Sequence, residues 1–365
     1  MIQKYKSRRI LTYVYTNLKM EIRRKKALQN LSDEVSKKIF PLFELQPCTD
    51  TEDLQITYNK FTRDLQQYWK HQLPFMLDFT YFDIDGEISD NPSVYFTQFI
   101  QASASIDYNC IPVIPSENYD MYIDSIQQSS SFFKNHGIAI RLNISSFDDA
   151  TFKQDLLSFL HDINISIKNV TLIIDFKEIN IENIKMYAVI FDVISTQTNL
   201  KEFKNVILIG TGYPSGFPSN YMESYQEKVF ARTELDLWRN LKMRSNNICR
   251  APNIHFGDYC CNISAPMLAD TSFMRPSAII KYTYEEGWYI VRGQQLKKAG
   301  YSQYADLCKK IVNSNHYKGE NFSHADKFIK DCSECICKPG NTTTWVQIAT
   351  NHHITLVAQQ FATGF

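Results

Sequence analysis

The chain has 365 residues, of which 44% are hydrophobic and 21% charged, a composition typical of a globular protein. Its 39 basic residues balance 39 acidic residues, so no overall charge draws the chain to nucleic acid or to an anionic membrane. No stretch approaches about 18 uninterrupted apolar residues, and the first residues lack the apolar core of a signal peptide. We therefore expect neither a membrane span nor secretion.

Eight short apolar runs recur along the chain. They lie at residues 11–18, 39–45, 74–79, 110–115, 137–142, 170–176, 205–210 and 248–256. Because these runs are apolar throughout instead of alternating, they are typical of parallel strands that are covered on both faces. Polar amphipathic stretches of helical length separate the runs, at residues 21–30, 51–69, 92–105, 119–134, 150–163, 181–194 and 223–242.

This alternation predicts an α/β fold, a (β/α)8 TIM-like barrel formed by residues 1–270. Each interval between strands is long enough for a strand, a crossover helix and two loops. An open doubly wound sheet is the competing fold. Its dinucleotide-binding version is weakened because no run is followed by a glycine-rich G-x-G-x-x-G turn.

The sequence pattern of strands and helices changes over residues 271–365. Residues 277–283 and 288–292 are separated by Tyr-Glu-Glu-Gly and predict a β-hairpin. Helical patterns follow at residues 295–314, 324–331 and 344–361. Because no linker rich in proline, glycine or serine precedes this segment, we expect a C-terminal extension that packs on the barrel within the same domain.

Charged residues stand at the carboxyl ends of most predicted strands, where a barrel places its site. They are Lys19, Glu44, Asp78, Arg141, Asp175 and Asp258. Any one of them has an ordinary alternative as a loop residue or a helix cap. Carboxylates embedded in sequences such as Leu-Asp-Phe and Ile-Asp-Phe need a metal, a cation or a substrate donor. We therefore expect the six side chains to face one cavity.

The extension adds four further candidates, Lys281, Arg292, His352 and His353. Adjacent helical residues point about 100° apart, so at most one of the two histidines should enter a site. A position on the helix surface is the commoner alternative for both. The functional alternative makes one of them a general acid or base, or a metal ligand.

The nine cysteines are odd in number and mostly scattered, which fits reduced thiols in a cytoplasmic protein better than a disulfide framework. Cys332-x2-Cys335-x-Cys337 suggests zinc with His352 or His353 as fourth ligand, but the spacing matches no usual zinc motif. We interpret these cysteines as structural or incidental. The basic runs at residues 8–9 and 23–26 are interpreted as solvated surface, with a nucleic-acid track as the alternative.

Several segments form an ordered pattern along the chain. The strand fragments are Ile39–Glu44, residues 77–78, 137–142 and 172–175. The more specific blocks are Phe256-Gly257-Asp258-Tyr259, residues 282–283 with 288–293, and Trp345 followed by Asn351-His352-His353. In this order the segments resemble the Beta protein family of bacteriophages and bacteria over residues 13–359. The chain departs from the family pattern at Tyr15, where the pattern has proline, and at Cys260-Cys261. The resemblance implies accessory genes of phages and mobile islands, and hence a setting of phage–host conflict.

Three functions are compatible with these residues. The first is a metal-dependent hydrolase of phosphodiesters, in nucleotides or nucleic acid. One or two Mg²⁺ or Mn²⁺ ions would be held by Glu44, Asp78, Asp175 and Asp258. Phosphate would be bound by Lys19, Arg141, Lys281 and Arg292, and the catalytic residues would be Asp78, Asp175, His352 and His353.

The second function is a non-catalytic barrel that binds a nucleotide signal or a phage or host protein, and the third is a structural subunit with a charged core. Four acidic candidates face four basic ones, so the cluster is near neutral without any metal. That balance favours a self-paired pocket or an anionic, phosphate-bearing ligand over a two-metal centre.

Overall fold

A computed structural model describes residues 14–19, 22–45, 47–48, 51–69, 73–82, 93–133, 137–147, 151–213, 220–248, 254–262, 264 and 275–363. Eight strands form a closed barrel: β1 (Val14–Lys19), β2 (Ile39–Glu44), β3 (Phe75–Asp78), β4 (Cys110–Pro115), β5 (Ile138–Asn143), β6 (Val170–Glu178), β7 (Asn205–Thr211) and β9 (Ile254–Asp258). All neighbours pair in parallel, and β9 closes the barrel on β1. The predicted (β/α)8 barrel is confirmed.

Helices connect these strands because each crossover between parallel strands must return to the same end of the sheet. Those of the barrel segment are α1 (Ile22–Gln29), α2 (Asp33–Ser36), α3 (Thr51–Tyr68), α4 (Ser93–Ser105), α5 (Ile123–Phe133), α6 (Phe152–Asp162), α7 (Ile184–Thr198) and α8 (Thr233–Ile248). Their apolar faces join the outward side chains of the strands in one buried cluster. Among the described helices, none is long and apolar enough to cross a membrane.

The predicted secondary structure was wrong over residues 223–256. The predicted helix 223–242 begins instead with a strand, β8 (Glu227–Ala231), and the predicted strand 248–256 starts too early because Ile248 is the last residue of α8. The exposed strand β8 forms because its backbone pairs with a distant partner, β11 (Gly287–Gln295). Local sequence patterns carry no signal for such non-local pairing.

Gly137, just before β5, occupies a position that only glycine fits. Its φ is +78°, and a Cβ built on it would lie 1.9 Å from the carbonyl oxygen of Asn169. Glycine has no Cβ and adopts positive φ without steric cost. The close approach lets the start of β5 lie beside the segment that leads into β6.

The described part of the C-terminal extension contains two strands and four helices, and its strands join one strand of the barrel segment in a three-stranded antiparallel sheet. β10 (Ser277–Tyr284) and β11 form the predicted hairpin, which is confirmed, and β8 adds the third strand. The helices are α9 (Leu296–Ala299), α10 (Tyr304–Val312), α11 (His324–Ser333) and α12 (Thr342–Ala362). The predicted helix 295–314 is thus two helices, separated near Gly300, whose φ is +69°.

Helix α12 joins the extension to the barrel. It packs on α1, β1, β10 and α11, and its residues Ile354, Val357 and Phe361 belong to the same buried cluster as the outer face of the barrel. The predicted boundary between residues 270 and 271 lies outside the described residues.

Part of the basic run 23–26 is not solvated, so that interpretation was wrong for Lys25. Residues 8–9 lie outside the described residues. Lys25 is buried in α1 and forms an ion pair with Asp64 of α3. Burial lowers the pKa of Lys25, against the opposing effect of Asp64. The reason is that α1 is covered by both α3 and α12.

Candidate functional site

Four of the predicted site residues meet inside the carboxyl end of the barrel. Glu44 of β2 and Asp78 of β3 are register partners, and Arg141 and Asp175 lie on β5 and β6. Two residues before each of them stands a member of the barrel's interior cluster, Leu42, Met76, Ala139 and Ile173. Because side chains alternate along a strand, these four polar residues face the interior too. We call them, with Lys177 and Tyr259, the mouth cluster.

Arg141 is the centre of the mouth cluster. Its Nε and Nη2 donate to Oδ2 of Asp175 at 2.9 and 2.7 Å, and its Nη1 donates to Glu44 at 3.2 Å and to Asp78. Nη2 also donates to the Tyr259 hydroxyl. The side chain is only 2% exposed. Burial lowers the pKa of Arg141, but Tyr259 and the three carboxylates outweigh it and hold the pKa well above its ordinary value.

One carboxylate oxygen of Asp175 accepts hydrogen bonds from several donors. Its Oδ2 accepts from two Arg141 nitrogens, from the Tyr259 hydroxyl at 2.6 Å and from Lys177 Nζ at 2.9 Å. Its Oδ1 accepts from the Lys177 backbone N–H at 2.9 Å. Burial favours the neutral acid, but Arg141 and Lys177 outweigh it and lower the pKa of Asp175 to about 2. The carboxylate is therefore ionised at neutral pH.

Lys177 lies at the rim of the mouth cluster. Its side chain is 22% exposed, its φ is +55°, and the pairing of β6 with β7 shifts register at this point. Nζ donates to the Tyr81 hydroxyl and lies 4.9 Å from the centre of that ring. Sequence reasoning missed Lys177, although it stands only two residues after Asp175. It also missed Tyr259, whose signal was its place in the Phe-Gly-Asp-Tyr block.

Asp258 does not join the mouth cluster. It precedes Tyr259, and the two side chains lie on opposite sides of the chain, Tyr259 inside the barrel and Asp258 against the extension. Oδ2 of Asp258 lies 2.7 Å from Nε2 of His353 and 3.8 Å from Nη2 of Arg232. Oδ1 accepts from the Cys260 backbone N–H at 3.0 Å. Of the six side chains that were expected together, four therefore meet in one ion network, Asp258 lies elsewhere, and the Lys19 side chain lies outside the described residues.

His353 lies between Asp258 and the Thr283 hydroxyl. Its Nδ1 lies 3.0 Å from Thr283 Oγ1, and that hydroxyl lies 3.5 Å from Cys261 Sγ. Burial lowers the pKa of His353, but Asp258 and Cys261 outweigh it and raise the pKa to about 10. We call Asp258, His353, Thr283, Cys261 and Arg232 the His353 cluster.

Both histidines of the pair are buried, so the expectation of a helix-surface position was wrong. His352 Nδ1 lies 2.8 Å from Asp326, its Nε2 lies 2.7 Å from the carbonyl oxygen of Thr283, and its ring stacks on Tyr282 at 3.9 Å. Such contacts fix α12 against α11 and β10. The two rings escape solvent because α12 is covered on several sides.

Two of the remaining predicted phosphate ligands, Lys281 and Arg292, bind groups outside the mouth cluster. Lys281 Nζ donates to the Cys261 carbonyl at 2.9 Å and lies 4.0 Å from the centre of the Tyr213 ring. Arg292 donates to the Met222 carbonyl and to Ser277. The side chain of Lys19 lies outside what the structure describes, while its backbone pairs with Glu44.

Metal-binding geometry differs from the sequence prediction. Within the described ranges, one group of His, Cys, Asp or Glu side chains has three ligand atoms within 4.8 Å of one another, namely Asp258, Cys260 and His353. Glu44, Asp78 and Asp175 are bound to Arg141 instead. Cys332 is buried and Cys335 is exposed, and both histidines have other partners.

Comparisons with known proteins identify one family. The model of the Beta protein family matches residues 16–359. No curated protein matches the chain. Among solved structures, the chain is similar to the YdjI aldolase from Escherichia coli K12, with 9% identity and a TM-score of 0.35, over 97% of this chain and 90% of that one. The family match covers nearly the whole chain, and the chain belongs to the Beta protein family.

Proposed function

We propose that the mouth cluster binds a phosphate-bearing ligand of the nucleotide class. The observation that carries this proposal is the Lys177 ammonium, a partly exposed cation at the rim of a barrel mouth that is otherwise buried. The carboxyl end of the strands is where barrels bind their ligands. An ammonium is also an ordinary phosphate partner.

Lys177 can bind a ligand because the Asp175 carboxylate has enough other hydrogen-bond donors. A carboxylate offers about four acceptor positions over its two oxygens, and a single oxygen of Asp175 already accepts from Arg141 twice and from Tyr259. Lys177 is the fourth donor to that oxygen. A ligand phosphate can therefore replace Asp175 as the partner of Nζ while Asp175 keeps its buried partners.

Arg141 supplies the fixed positive charge beneath this site. Its five hydrogen bonds hold the guanidinium in one position, and its high pKa keeps it charged. Preorganised charge in a site shielded from water acts more strongly than the same charge in solution. In this proposal the ligand phosphate binds at Lys177 without a metal ion, while Arg141 stays paired with Glu44, Asp78 and Asp175.

Metal-dependent hydrolysis of a phosphodiester is the second candidate. The observation in its favour is that three carboxylates, Glu44, Asp78 and Asp175, converge on a single guanidinium. A Mg²⁺ or Mn²⁺ ion accepts such oxygen ligands and would have to displace Arg141 from them. In both candidates we place the protein in the cytoplasm and in phage–host conflict, a setting that the family resemblance supports.

Thermal unfolding separates these candidates. We would measure the midpoint for the wild type and two variants, Lys177→Met and Lys330→Met, with adenosine and guanosine mono-, di- and triphosphates. Lys330 is the matched control because it is a partly exposed lysine paired with Glu334, far along the chain in α11. A ligand at about 100 times its Kd stabilises by about 2.7 kcal/mol, which is on the order of 5 °C for a chain of this size.

The proposal expects a nucleotide-induced shift in the wild type and in Lys330→Met, without Mn²⁺, and its loss in Lys177→Met. A shift that requires Mn²⁺, together with release of product, would favour the hydrolase. If no phosphate compound shifts the wild type with or without Mn²⁺, the mouth cluster is a structural ion network and the proposal fails.

A further inference from the structure

We propose that Asp258, Cys260 and His353 hold a zinc ion that joins the barrel to the C-terminal extension. All three side chains are buried, and one ligand atom from each lies within 4.8 Å of the other two. Carboxylate, thiolate and imidazole are the ligand types by which proteins bind zinc. The site is separate from the mouth cluster, and the inference does not rest on nucleotide binding there.

The three ligands come from two parts of the fold. Asp258 is the last residue of β9 and Cys260 follows two positions later, whereas His353 lies in α12. Cys260 has a φ of +54°, and its N–H donates to Oδ1 of Asp258 at 3.0 Å. Residues other than glycine rarely adopt positive φ, and such exceptions cluster at ligand sites. This tight turn brings the Cys260 thiol back beside the Asp258 carboxylate.

Hydrogen bonds around the group turn one atom of each anchored ligand toward the ion. Nδ1 of His353 lies 3.0 Å from the Thr283 hydroxyl, so the ring presents Nε2 to Oδ2 of Asp258, 2.7 Å away. A histidine that binds a metal is almost always held through its other ring nitrogen in this way. Asp258 is held through Oδ1 by the Cys260 N–H, which leaves Oδ2 for the ion.

A buried donor marks the fourth ligand position. Arg232 is 0% exposed, and its Nη2 has no hydrogen-bond partner among the residues that the structure describes. This nitrogen lies 3.8 Å from Oδ2 of Asp258, too far for a hydrogen bond. A zinc ion with three protein ligands binds a water in its fourth position. Such a water accepts a hydrogen bond from Nη2, which explains a donor that buried sites otherwise seldom leave unsatisfied.

The charges of the group suit a divalent ion. The Asp258 carboxylate and a Cys260 thiolate bring two negative charges, which balance Zn²⁺ while His353 binds as a neutral imidazole. Arg232 keeps its ion pair with Glu234 and therefore meets a neutral complex. Thiolate and imidazole ligands favour zinc over Mg²⁺ and Ca²⁺, which take oxygen ligands.

Small movements convert the observed arrangement into a zinc site. Ligand atoms of a zinc tetrahedron stand about 3.3–3.6 Å apart, so adjustments on the order of 1 Å suffice. The ion replaces the proton between His353 and Asp258, and the hydrogen bond of 2.7 Å belongs to the metal-free chain. Because the ligands are buried, the ion enters as the chain folds, since zinc binding and folding are coupled at such sites.

The test refolds the full-length chain from urea with Zn²⁺ and a competing chelating dye. Zinc per chain is then measured by mass spectrometry after gel filtration. We expect one zinc ion per chain in the wild type and in Cys261→Ala, the matched control because Cys261 is the adjacent buried cysteine. Cys260→Ala should weaken binding by more than about 100-fold, and Thr283→Val, which removes an outer partner, by about 10–100-fold. A wild type without zinc, or equal affinities of the two cysteine variants, would overturn the proposal.

A second measurement does not depend on the folding of a variant with a changed core. The wild type is refolded with Co²⁺, and its absorption spectrum is recorded, because a thiolate-to-cobalt charge-transfer band reports a cysteine ligand. We expect this band in the wild type and also in Cys335→Ala, which alters an exposed cysteine of the extension. Absence of the band in the wild type, or its loss in Cys335→Ala, would contradict the assignment of the ion to Cys260.

Discussion

Replacement of Arg141 by methionine removes the cation to which three buried carboxylates are bound. The loss of one partner from a buried ion pair costs about 3–5 kcal/mol. The cost should stay near that value, and not three times higher, because other donors remain. Asp175 keeps Lys177 and Tyr259, and Asp78 keeps Thr80, whose N–H and hydroxyl both donate to it.

The loss of stability in Arg141→Met should also depend on pH. Burial raises the pKa of Asp175, and Arg141 is the larger of the two cations' effects that oppose it. Without Arg141 we expect the folded-state pKa of Asp175 to rise above its unfolded value, so that protonation stabilises the folded variant. Its deficit relative to the wild type should therefore shrink as the pH falls from 7 to about 4. Urea denaturation followed by circular dichroism at both pH values measures this deficit.

Arg244→Met is the matched control for Arg141→Met. Arg244 pairs with Asp192, but these side chains are 41% and 28% exposed, and surface ion pairs contribute little to stability. If Arg141→Met destabilises no more than Arg244→Met, or if its deficit grows on acidification, the description of Arg141 as the central cation of a buried network is wrong. Arg141→Lys should give an intermediate loss, since one charge remains without the planar fork.

Three further predictions concern backbone, capping and titration. Gly137→Ala should destabilise the fold by more than about 1 kcal/mol, and by more than Gly300→Ala does. The reason is that a Cβ at Gly137 meets a backbone oxygen at 1.9 Å, whereas a Cβ at Gly300 meets nothing within 4 Å. The urea midpoints of the two variants measure this difference. Asn341→Ala removes the capping box of α12 and should cost about 1 kcal/mol, measured in the same way. The folded pKa of His353 is about 10, above the ordinary 6.5, so its stabilisation is complete below about pH 6.5 and is lost as the pH rises through about 10. His353→Gln should flatten that decline in the free energy of unfolding, and an unchanged slope would contradict the assignment.

Four members of the mouth cluster could be predicted from sequence because parallel strands of a barrel end at the same face. Glu44, Asp78, Arg141 and Asp175 each end or nearly end an apolar run, and parallel strands bring such ends to one face. Asp258 also follows an apolar run, but its side chain contacts His353 of the extension instead of facing the barrel interior. A one-residue difference in phase moves a strand side chain from the interior to the exterior, and the end of a run does not determine that phase.

Other parts of the site depend on contacts that no local pattern contains. Lys177 reaches the mouth because the chain adopts positive φ where β6 shifts its register. The His353 side chain meets Asp258 only because α12 packs beside β10 and β1 at this side of the barrel. The strand β8 likewise requires β11. Each of these features results from tertiary packing between segments that are distant in sequence.

The most direct test of the ligand site is a crystal structure of the chain. The crystals are grown with ADP and Mn²⁺, and anomalous data are collected for manganese. The account predicts phosphate density within hydrogen-bond distance of Lys177 Nζ, Arg141 still bound to Glu44, Asp78 and Asp175, and no manganese peak among those carboxylates. A manganese peak between the carboxylates with Arg141 displaced, or an empty mouth at saturating ADP, would contradict it.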